Sequence, residues 1–154
     1  MVEIERKFLV NSKLWQPKGN GVKIRQGYLS VDPQRVVRIR VAENNSYLTI
    51  KGKPVGITRT EMEYKIPDNE AEILLKMCLN VIVEKVRYTE KVGGLLWEID
   101  VFEGKNLGLL LAEIELKEEN QEFEYPEWIS SEVTFDDRYQ NSKLSQNPYK
   151  NWQF

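Results

Sequence analysis

The stretch Arg59-Thr60-Glu61-Met62-Glu63-Tyr64-Lys65-Ile66 places a charged side chain at every second position. Successive side chains of a β-strand point to opposite faces of its sheet, so this stretch predicts a strand with one ionic face and one mainly apolar face. The strand is expected over 57–66. Similar alternation, or enrichment in β-branched and aromatic residues, marks seven more candidate strands near 2–10, 22–31, 35–43, 46–53, 80–92, 94–103 and 108–118.

The segments between these strands carry turn-forming residues, such as Asp32-Pro33, Asn44-Asn45 and Gly93-Gly94. About eight short strands joined mainly by tight turns predict a mainly β (α+β) protein. We expect an antiparallel sheet that curls or closes, because closure removes the unpaired strand edges.

Three helices are expected outside the strands. The first starts near Asp68. One side of it gathers four apolar residues, Ile73, Leu74, Met77 and Cys78. The second is short and lies near 11–16, and the third lies near 139–146 with Leu144 as its apolar anchor. Cys78 is the only cysteine, so it cannot form an intrachain disulfide, and its apolar neighbours favour a buried thiol on the first helix.

The size and charge of the chain limit the classes of function. With 154 residues, of which 41% are hydrophobic, the chain is expected to form one domain over 1–154. The net charge of −2 and the pI near 5.4 argue against a broad nucleic-acid-binding face. No apolar run reaches the length of a membrane span, and the chain opens with charges rather than with a signal peptide. A cytoplasmic location is therefore expected, with neither nucleic acid nor membrane as a partner.

The chain contains no histidine. This excludes Ser-His-Asp catalysis, Cys-His catalysis and histidine zinc sites. A metal site would have to be built from oxygen ligands, which favour a hard cation such as Mg²⁺, Mn²⁺ or Ca²⁺.

The charges on the ionic faces come in pairs of equal sign, two residues apart. Four pairs are acidic and two are basic: Glu3/Glu5, Glu61/Glu63, Glu98/Asp100, Glu113/Glu115, Arg38/Arg40 and Lys85/Arg87. A solvent-facing ionic surface is the commonest meaning of such alternation. Like charges at this spacing repel each other, and the apolar faces, with Trp97, Ile99 and Ile114, are bulky enough to need an outer cover. These two observations favour the alternative, in which the ionic faces meet inside the sheet.

An ionic interior has to contain water and to be neutralised in part by ligands, since an unpaired buried ion is costly. Paired carboxylates suit a hard divalent cation, and paired lysine or arginine side chains suit phosphate oxygens. A cavity that offers both is complementary to a metal–polyphosphate complex.

Several short motifs follow one another in a fixed order along the chain. They are Glu3-Ile4-Glu5-Arg6-Lys7, Arg38-Ile39-Arg40, Thr49-Ile50-Lys51-Gly52, Arg59-x-Glu61-x-Glu63, Lys85-Val86-Arg87, Glu98-Ile99-Asp100, Glu113-Ile114-Glu115, Glu132-Val133-Thr134 and Asp137-Arg138-Tyr139-x-Asn141. This ordered set, which spans 2–148, resembles the CYTH domain, the core of the triphosphate tunnel metalloenzyme superfamily. In length the chain is similar to the compact bacterial members, such as inorganic tripolyphosphatases.

The resemblance implies a closed eight-stranded antiparallel β-barrel, or tunnel, with a few outer helices and a C-terminal plug helix. It also implies a metal-dependent enzyme that uses Mg²⁺ or Mn²⁺ and acts on a small-molecule triphosphate. In such proteins the first and last acidic pairs hold a metal, which here are Glu3, Glu5, Glu113 and Glu115. A second metal, which positions the attacking water, would draw on Glu61, Glu63, Glu98 or Asp100.

The resemblance gives the basic and aromatic residues roles as well. Phosphate oxygens would be bound by Lys7, Arg38, Arg40, Lys51, Arg59, Lys85 and Arg87. Lys85, Glu5 and Arg40 are the expected catalytic residues. Tyr28 is expected to cover one tunnel mouth, and segment 137–146 to plug one end so that Tyr139 or Asn141 reaches the substrate. The alternatives are that a basic residue forms only a salt bridge in the wall and that Tyr28 only packs there.

The expected reaction is hydrolysis of inorganic triphosphate to diphosphate and phosphate, because a tunnel with charges in every wall offers no obvious apolar pocket for a base or thiazole ring. Three alternatives stay open: an adenylate cyclase that forms cyclic AMP and diphosphate from ATP, another nucleoside or thiamine triphosphatase, and a non-catalytic binder of polyphosphate or nucleotide. The sequence does not fix the oligomeric state, and a homodimer is compatible with it.

Overall fold

Nine β-strands form one sheet in the structure, a computed structural model that describes residues 1–154. They are β1 (Val2–Val10), β2 (Val22–Ser30), β3 (Val36–Ala42), β4 (Asn45–Lys51), β5 (Thr58–Ile66), β6 (Leu79–Val92), β7 (Leu95–Phe102), β8 (Leu110–Glu115) and β9 (Ile129–Glu132). The eight strands expected from the sequence are confirmed. The largest difference is at the end of β8, which stops at Glu115 rather than at 118.

The sheet closes on itself through its first strand. The strand order is β5-β4-β3-β2-β6-β7-β8-β1-β9, and β5 also pairs with β1. All these pairings are antiparallel. In the closing pair Glu3 lies opposite Arg59. The predicted closed antiparallel barrel of eight strands is therefore confirmed, with a ninth strand added.

Strand β9 was not predicted. It pairs with the second half of β1, at Phe8 and Val10, on the edge that β5 leaves unpaired. Its sequence is short and lacks alternation of apolar residues, so its extended conformation depends on this tertiary pairing. Arg6 holds the strand in place by donating two hydrogen bonds to Glu132, at 2.8 and 2.7 Å.

Helix α1 (Asp68–Lys76) begins at the predicted residue but buries a different side. Ala71 and Leu75 pack on the outer face of β3, whereas Ile73 and Met77 are mostly exposed. Cys78 follows the helix in the turn that leads into β6, and it is half-buried. Of the predicted apolar side, Leu74 and Cys78 do pack against this cluster, whereas the places of Ile73 and Met77 are taken by Ala71 and Leu75. The predicted side was therefore half right, and the predicted buried helical thiol was wrong because Cys78 lies beyond the helix.

No helix forms at 11–16. The backbone N–H groups of Leu14 and Trp15 both donate to the carbonyl oxygen of Asn11, at 3.0 and 3.1 Å. Pro17 follows, and it has no backbone N–H with which to continue a helix. The predicted second helix is therefore a single turn. The third expected helix is present as α2 (Asn141–Gln146), after a short 3₁₀ turn. Neither α-helix has the length and apolar character that a membrane crossing requires.

The largest apolar cluster covers the outside of β1, β7 and β8. Its buried members are Phe8, Trp15, Trp97, Ile99, Ala112, Ile114, Leu116 and Trp128. Trp128 and Phe8 both contact the ring of Trp97 edge-on, with centroids 5.6 Å away. Loops that carry Trp15 and Trp128, rather than helices, supply this cover. The apolar faces of these strands therefore point outwards, and their ionic faces point into the barrel.

The interior becomes apolar at the end where α2 docks. A second cluster fills this end with Val83, Phe102, Leu109, Leu111, Val133, Tyr139 and Leu144. Phe102 lies opposite Lys85, and Leu111 lies opposite Asp100. Because residues directly opposite each other share a face of the sheet, these apolar residues continue the inner face of their strands. Helix α2 adds the fully buried Leu144 to the cluster and closes this end.

Candidate functional site

The ionic part of the barrel encloses a cavity of about 390 Å³. Only four of its 24 lining residues are hydrophobic. The acidic lining residues are Glu3, Glu5, Glu61, Glu63, Glu98, Glu113, Glu115 and Asp137, and the basic ones are Lys7, Arg38, Arg40, Lys51, Arg59 and Arg87. The ionic faces thus meet inside the sheet, and every charged residue expected at the site lines this cavity except Lys85 and Asp100.

The strand register brings the acidic residues of three strands together. Glu5 lies opposite Glu115, and Lys7 lies opposite Glu113, across β1 and β8. Glu98 lies opposite Glu113 across β7 and β8. Since opposite partners are close in space, these strands form an acidic wall in which Lys7 is the basic member.

Arginines from β3 and β6 form a basic wall. Arg38 is buried, and its Nη2 donates to Oγ1 of Thr49 at 3.2 Å and to Oε2 of Glu63 at 3.4 Å, while its Nε has no partner. Burial, followed by the charges of Arg38 and Arg87, lowers the pKa of Arg40 to about 9. Positive charge in this wall is therefore only partly neutralised, which suits the binding of a phosphate anion.

Lys51, on the strand next to β3, bridges two carboxylates. Its Nζ lies 3.1 Å from Oε1 of Glu3 and 3.2 Å from Oε2 of Glu61. Arg59 donates from its Nε to the carbonyl oxygen of Gly52 at 3.0 Å. Lys51 thus forms ion pairs across the seam that joins β1, β4 and β5. Its ammonium group could bind a phosphate anion only while it also neutralises these two carboxylates.

Lys85 and Asp100 lie deeper in the barrel than the cavity, next to its apolar end. Their side chains are 0% and 1% exposed, and Nζ of Lys85 lies 2.8 Å from Oδ2 of Asp100. Arg87 donates to the same carboxylate from Nε at 2.8 Å and from Nη2 at 2.9 Å. Burial lowers the pKa of Lys85 to about 7, with Asp100 opposing this effect and Arg87 adding to it. The structure therefore places neither Lys85 nor Asp100 at the cavity surface, where the predicted phosphate and metal ligands would stand.

In the acidic wall, Glu113 has Lys7 beside it at 3.9 Å, whereas Glu5 and Glu115 form no salt bridge. The pKa of Glu5 is raised well above its ordinary range by burial and by the neighbouring carboxylates of Glu113 and Glu3. The pKa of Glu115 is also raised, by burial and then by Glu3 and Glu98. A cation placed among these groups would relieve their repulsion.

The donor set of this wall fits a hard divalent cation. All its candidate ligands are carboxylate oxygens, which Mg²⁺ and Mn²⁺ prefer. No group of three or more carboxylates is gathered around a single point in this structure. The fit therefore rests on the chemistry of the donors and on the repulsion that raises the pKa of Glu5.

Tyr28 and Tyr139 take different positions near the closed end. Tyr28 lines the cavity and is buried. The ring of Tyr139 packs edge-on against Trp152 in the apolar cluster, with centroids 5.1 Å apart. The backbone carbonyl oxygen of Tyr139 accepts a hydrogen bond from Nζ of Lys7 at 3.2 Å. Segment 137–146 thus reaches the cavity through Asp137, Gln140, Asn141 and Ser142, and not through the ring of Tyr139.

A second cavity, of about 680 Å³, adjoins the first. The two share Arg40, Glu63, Arg87 and Glu98. The second cavity is more open to solvent and includes Tyr47 among its lining residues. It therefore belongs to the same interior and marks an opening away from α2.

Gln26, which is fully buried beside the cavity, is not among the site residues that the sequence predicts. The available signal was a lone glutamine on the inner face of β2, opposite Arg40 in the register. Because the predicted site consists of charged ligands for a metal ion and for phosphate, an uncharged glutamine does not stand out as a site residue.

Comparison with known proteins identifies the family of this chain. The family model described as the CYTH domain matches residues 1–148. The chain belongs to the CYTH domain family. Its predicted membership is thereby confirmed.

Relatives of this CYTH protein match it over nearly their whole length. An inorganic triphosphatase of Acetivibrio thermocellus is 49% identical over 151 residues, which cover 97% of each chain. An inorganic triphosphatase of Nitrosomonas europaea is 38% identical over 151 residues, or 94% of this chain and 97% of the other. The crystal structure of the inorganic triphosphatase NE1496 has a TM-score of 0.66 at 37% identity and covers 93% of both chains.

Proposed function

We propose that this CYTH protein hydrolyses inorganic triphosphate to diphosphate and phosphate, with a divalent cation, in the ionic cavity of its barrel. The arrangement of basic and acidic walls around one cavity carries the proposal. Triphosphate complexed with a divalent cation presents anionic oxygens and a hard cation together, which these two walls complement. The names of the relatives at 49% and 38% identity support the same substrate.

The lining of the cavity favours inorganic triphosphate over a nucleotide or a thiamine derivative. A base or thiazole ring gains affinity from apolar or aromatic surface. The enclosed cavity between the two walls has four hydrophobic lining residues, and Phe135, which is one of them, is 74% exposed to solvent. Tyr47 and Tyr88 line only the adjoining, more open cavity. A substrate made only of phosphate groups uses the charged walls fully and needs no such surface.

The basic wall would hold the phosphate groups. Arg38, Arg40 and Arg87 would bind oxygens of the triphosphate, with Lys7 and Lys51 as further cationic groups of the lining. Hydrolysis places additional negative charge on the diphosphate as it leaves. Fixed guanidinium groups stabilise that charge without reorganising, which is the main way in which proteins accelerate phosphoryl transfer.

The acidic wall would hold the cation. The proposed ligands of a first cation are Glu3, Glu5, Glu113 and Glu115, and a second would draw on Glu61, Glu63 or Glu98. A bound Mg²⁺ or Mn²⁺ neutralises phosphate oxygens and makes a nearby water more acidic. Asp100 is left out of the second set because its two oxygens already accept hydrogen bonds from Lys85 and Arg87.

In the reaction, water attacks the terminal phosphorus and the bond from that phosphorus to the bridging oxygen breaks. The water oxygen leaves in phosphate, and the bridging oxygen leaves in diphosphate. The side chains of the barrel bind and orient the chain of phosphates so that attack occurs in line with the leaving oxygen. No protein nucleophile is required, which agrees with a cavity that contains neither histidine nor cysteine.

Phosphate release from tripolyphosphate tests the proposal. Purified protein with Mg²⁺ or Mn²⁺ should release phosphate, and a chelator should stop the release. Arg38→Met should lower kcat/KM by about 100-fold, because a fixed donor to the developing charge is lost. Arg35→Met, which removes an exposed arginine outside the cavity, should leave the rate unchanged. Release that persists in chelator, or cyclic AMP formed from ATP in place of phosphate release, would refute the proposal.

A further inference from the structure

Gln26 is a buried polar residue beside the cavity to which the proposed reaction assigns no role. It lies in β2, and its side chain is 0% exposed. The register places it opposite Arg40 on β3 and opposite Val83 on β6. It therefore stands between the basic wall and the apolar end of the barrel that α2 closes.

The amide of Gln26 uses all its hydrogen-bonding groups. Its Oε1 accepts from Nε of Arg40 at 2.9 Å. Its Nε2 donates to the hydroxyl of Tyr28 at 3.2 Å and to Oδ1 of Asn141 at 3.0 Å. The same Oδ1 of Asn141 accepts from Nζ of Lys85 at 3.0 Å. A side chain held on three sides, inside a barrel wall, is fixed in position.

Two arginines of the basic wall are held in chemically different ways. Arg87 donates to the carboxylate of Asp100, so its charge is largely balanced. Arg40 donates from Nε to an uncharged amide, which orients the guanidinium without neutralising it. Burial and the nearby charges of Arg38 and Arg87 lower the pKa of Arg40, as expected for a cation that lacks a close counter-charge.

We propose that Gln26 is a positioning residue for triphosphate binding: it fixes Arg40 through Nε with a neutral acceptor, so that the terminal nitrogens and the full charge of Arg40 stay available to a phosphate group. This inference rests on the proposed function. A glutamate in place of Gln26 would also accept a hydrogen bond from Nε of Arg40, but its charge would neutralise the guanidinium. An apolar residue in this position would leave Nε of Arg40 without a hydrogen-bond acceptor. Asn141 extends the arrangement to α2, so docking of that helix helps to fix the amide of Gln26.

Calorimetric titration with tripolyphosphate in the presence of a chelator measures binding to the basic wall without a cation. Gln26→Met should weaken binding by about tenfold, since one charge-assisted hydrogen bond no longer orients Arg40. Gln26→Glu, which keeps the size and the acceptor, should weaken binding at least as much. Gln146→Met is the matched control, because Gln146 is exposed on α2 and donates only to the carbonyl oxygen of Ser142. Circular dichroism confirms that each variant is folded.

The Arg40→Lys background separates positioning from a general structural effect. A lysine at position 40 lacks the guanidinium Nε–H that donates to Oε1 of Gln26. Gln26→Met should therefore cause no further loss of tripolyphosphate affinity in the Arg40→Lys background. An equal loss in both backgrounds would contradict the inference, as would wild-type affinity in Gln26→Glu. If the wild-type protein neither binds nor hydrolyses tripolyphosphate, the proposed function fails. If it does both and the Gln26 variants match it, only the role of Gln26 fails.

Discussion

Lys85 and Asp100 form a buried ion pair, with Nζ of Lys85 2.8 Å from Oδ2 of Asp100. Arg87 donates two further hydrogen bonds to the same carboxylate. Burial favours the neutral acid, but Arg87 and Lys85 outweigh it and lower the pKa of Asp100 to about 2. Asp100 is therefore the shared counter-charge of two cations, and the two ends of the pair are not equivalent.

This asymmetry predicts unequal effects of removing the two partners. Asp100→Asn leaves two cations without their counter-charge and should lower the free energy of unfolding by about 3–5 kcal/mol. Lys85→Met removes a cation while Arg87 continues to balance Asp100, so it should cost much less. Urea denaturation of both variants measures the difference. Equal losses, or a larger loss in Lys85→Met, would show that the charges are not shared in this way.

The bond between Arg6 and Glu132 predicts a loss of stability in acid. Hydrogen bonds from Arg6 lower the pKa of Glu132 below its ordinary value of 4.5, with burial opposing. A carboxyl group with a lowered folded-state pKa stabilises the fold above its unfolded pKa, and the contribution disappears as pH falls through the folded pKa. Glu132→Gln should therefore cost about 0.5–1 kcal/mol at neutral pH, a small value because both partners are partly exposed to solvent.

Denaturation curves at neutral pH and in strong acid test that expectation. The difference between Glu132→Gln and the wild type should vanish in acid, where Glu132 is protonated in both folded and unfolded protein. Glu127→Gln, which changes an exposed carboxylate in the same region, is the control and should have no effect at either pH. A difference that stays constant with pH would mean that packing of β9, and not the ion pair, is responsible.

Leu144 anchors the helix that closes the barrel. It is fully buried among Val83, Phe102 and Leu111. Leu144→Ala should lower the free energy of unfolding by about 2–5 kcal/mol, because it leaves a cavity in this cluster. Hydrogen exchange should also become faster in α2 than in the strands. Gln146→Ala on the exposed side of α2 is the control, and similar behaviour of both variants would contradict the anchoring role.

The raised pKa of Glu5 predicts that this carboxylate is central to cation binding. Glu5→Gln keeps the size of the side chain but removes its charge, and should weaken Mn²⁺ binding by at least about tenfold. Titration calorimetry with Mn²⁺ alone measures this without substrate. Glu70→Gln, on the exposed surface of α1, should bind Mn²⁺ as the wild type does. Unchanged affinity in Glu5→Gln would place the cation elsewhere.

Much of the barrel could be predicted because period-2 alternation determines which side chains share a face. Like-charged pairs such as Glu113/Glu115 further indicated that this face is internal, and the cavity has that lining. The position of Lys85 could not be predicted in this way. The inner face changes from ionic to apolar at its partner Phe102, so the depth of each charge depends on where α2 fills the barrel. Strand β9 could not be predicted either, because its extended conformation depends on a tertiary contact, the pairing with β1.

Competition between two substrates in one sample tests whether inorganic triphosphate is the substrate of this barrel. Equal concentrations of tripolyphosphate and ATP are incubated with the protein and Mg²⁺, and phosphorus NMR follows both. Tripolyphosphate should disappear first, with diphosphate and phosphate rising in equal amounts while ATP persists. Earlier consumption of ATP, or formation of cyclic AMP, would contradict the assignment of inorganic triphosphate as the substrate of this charged barrel.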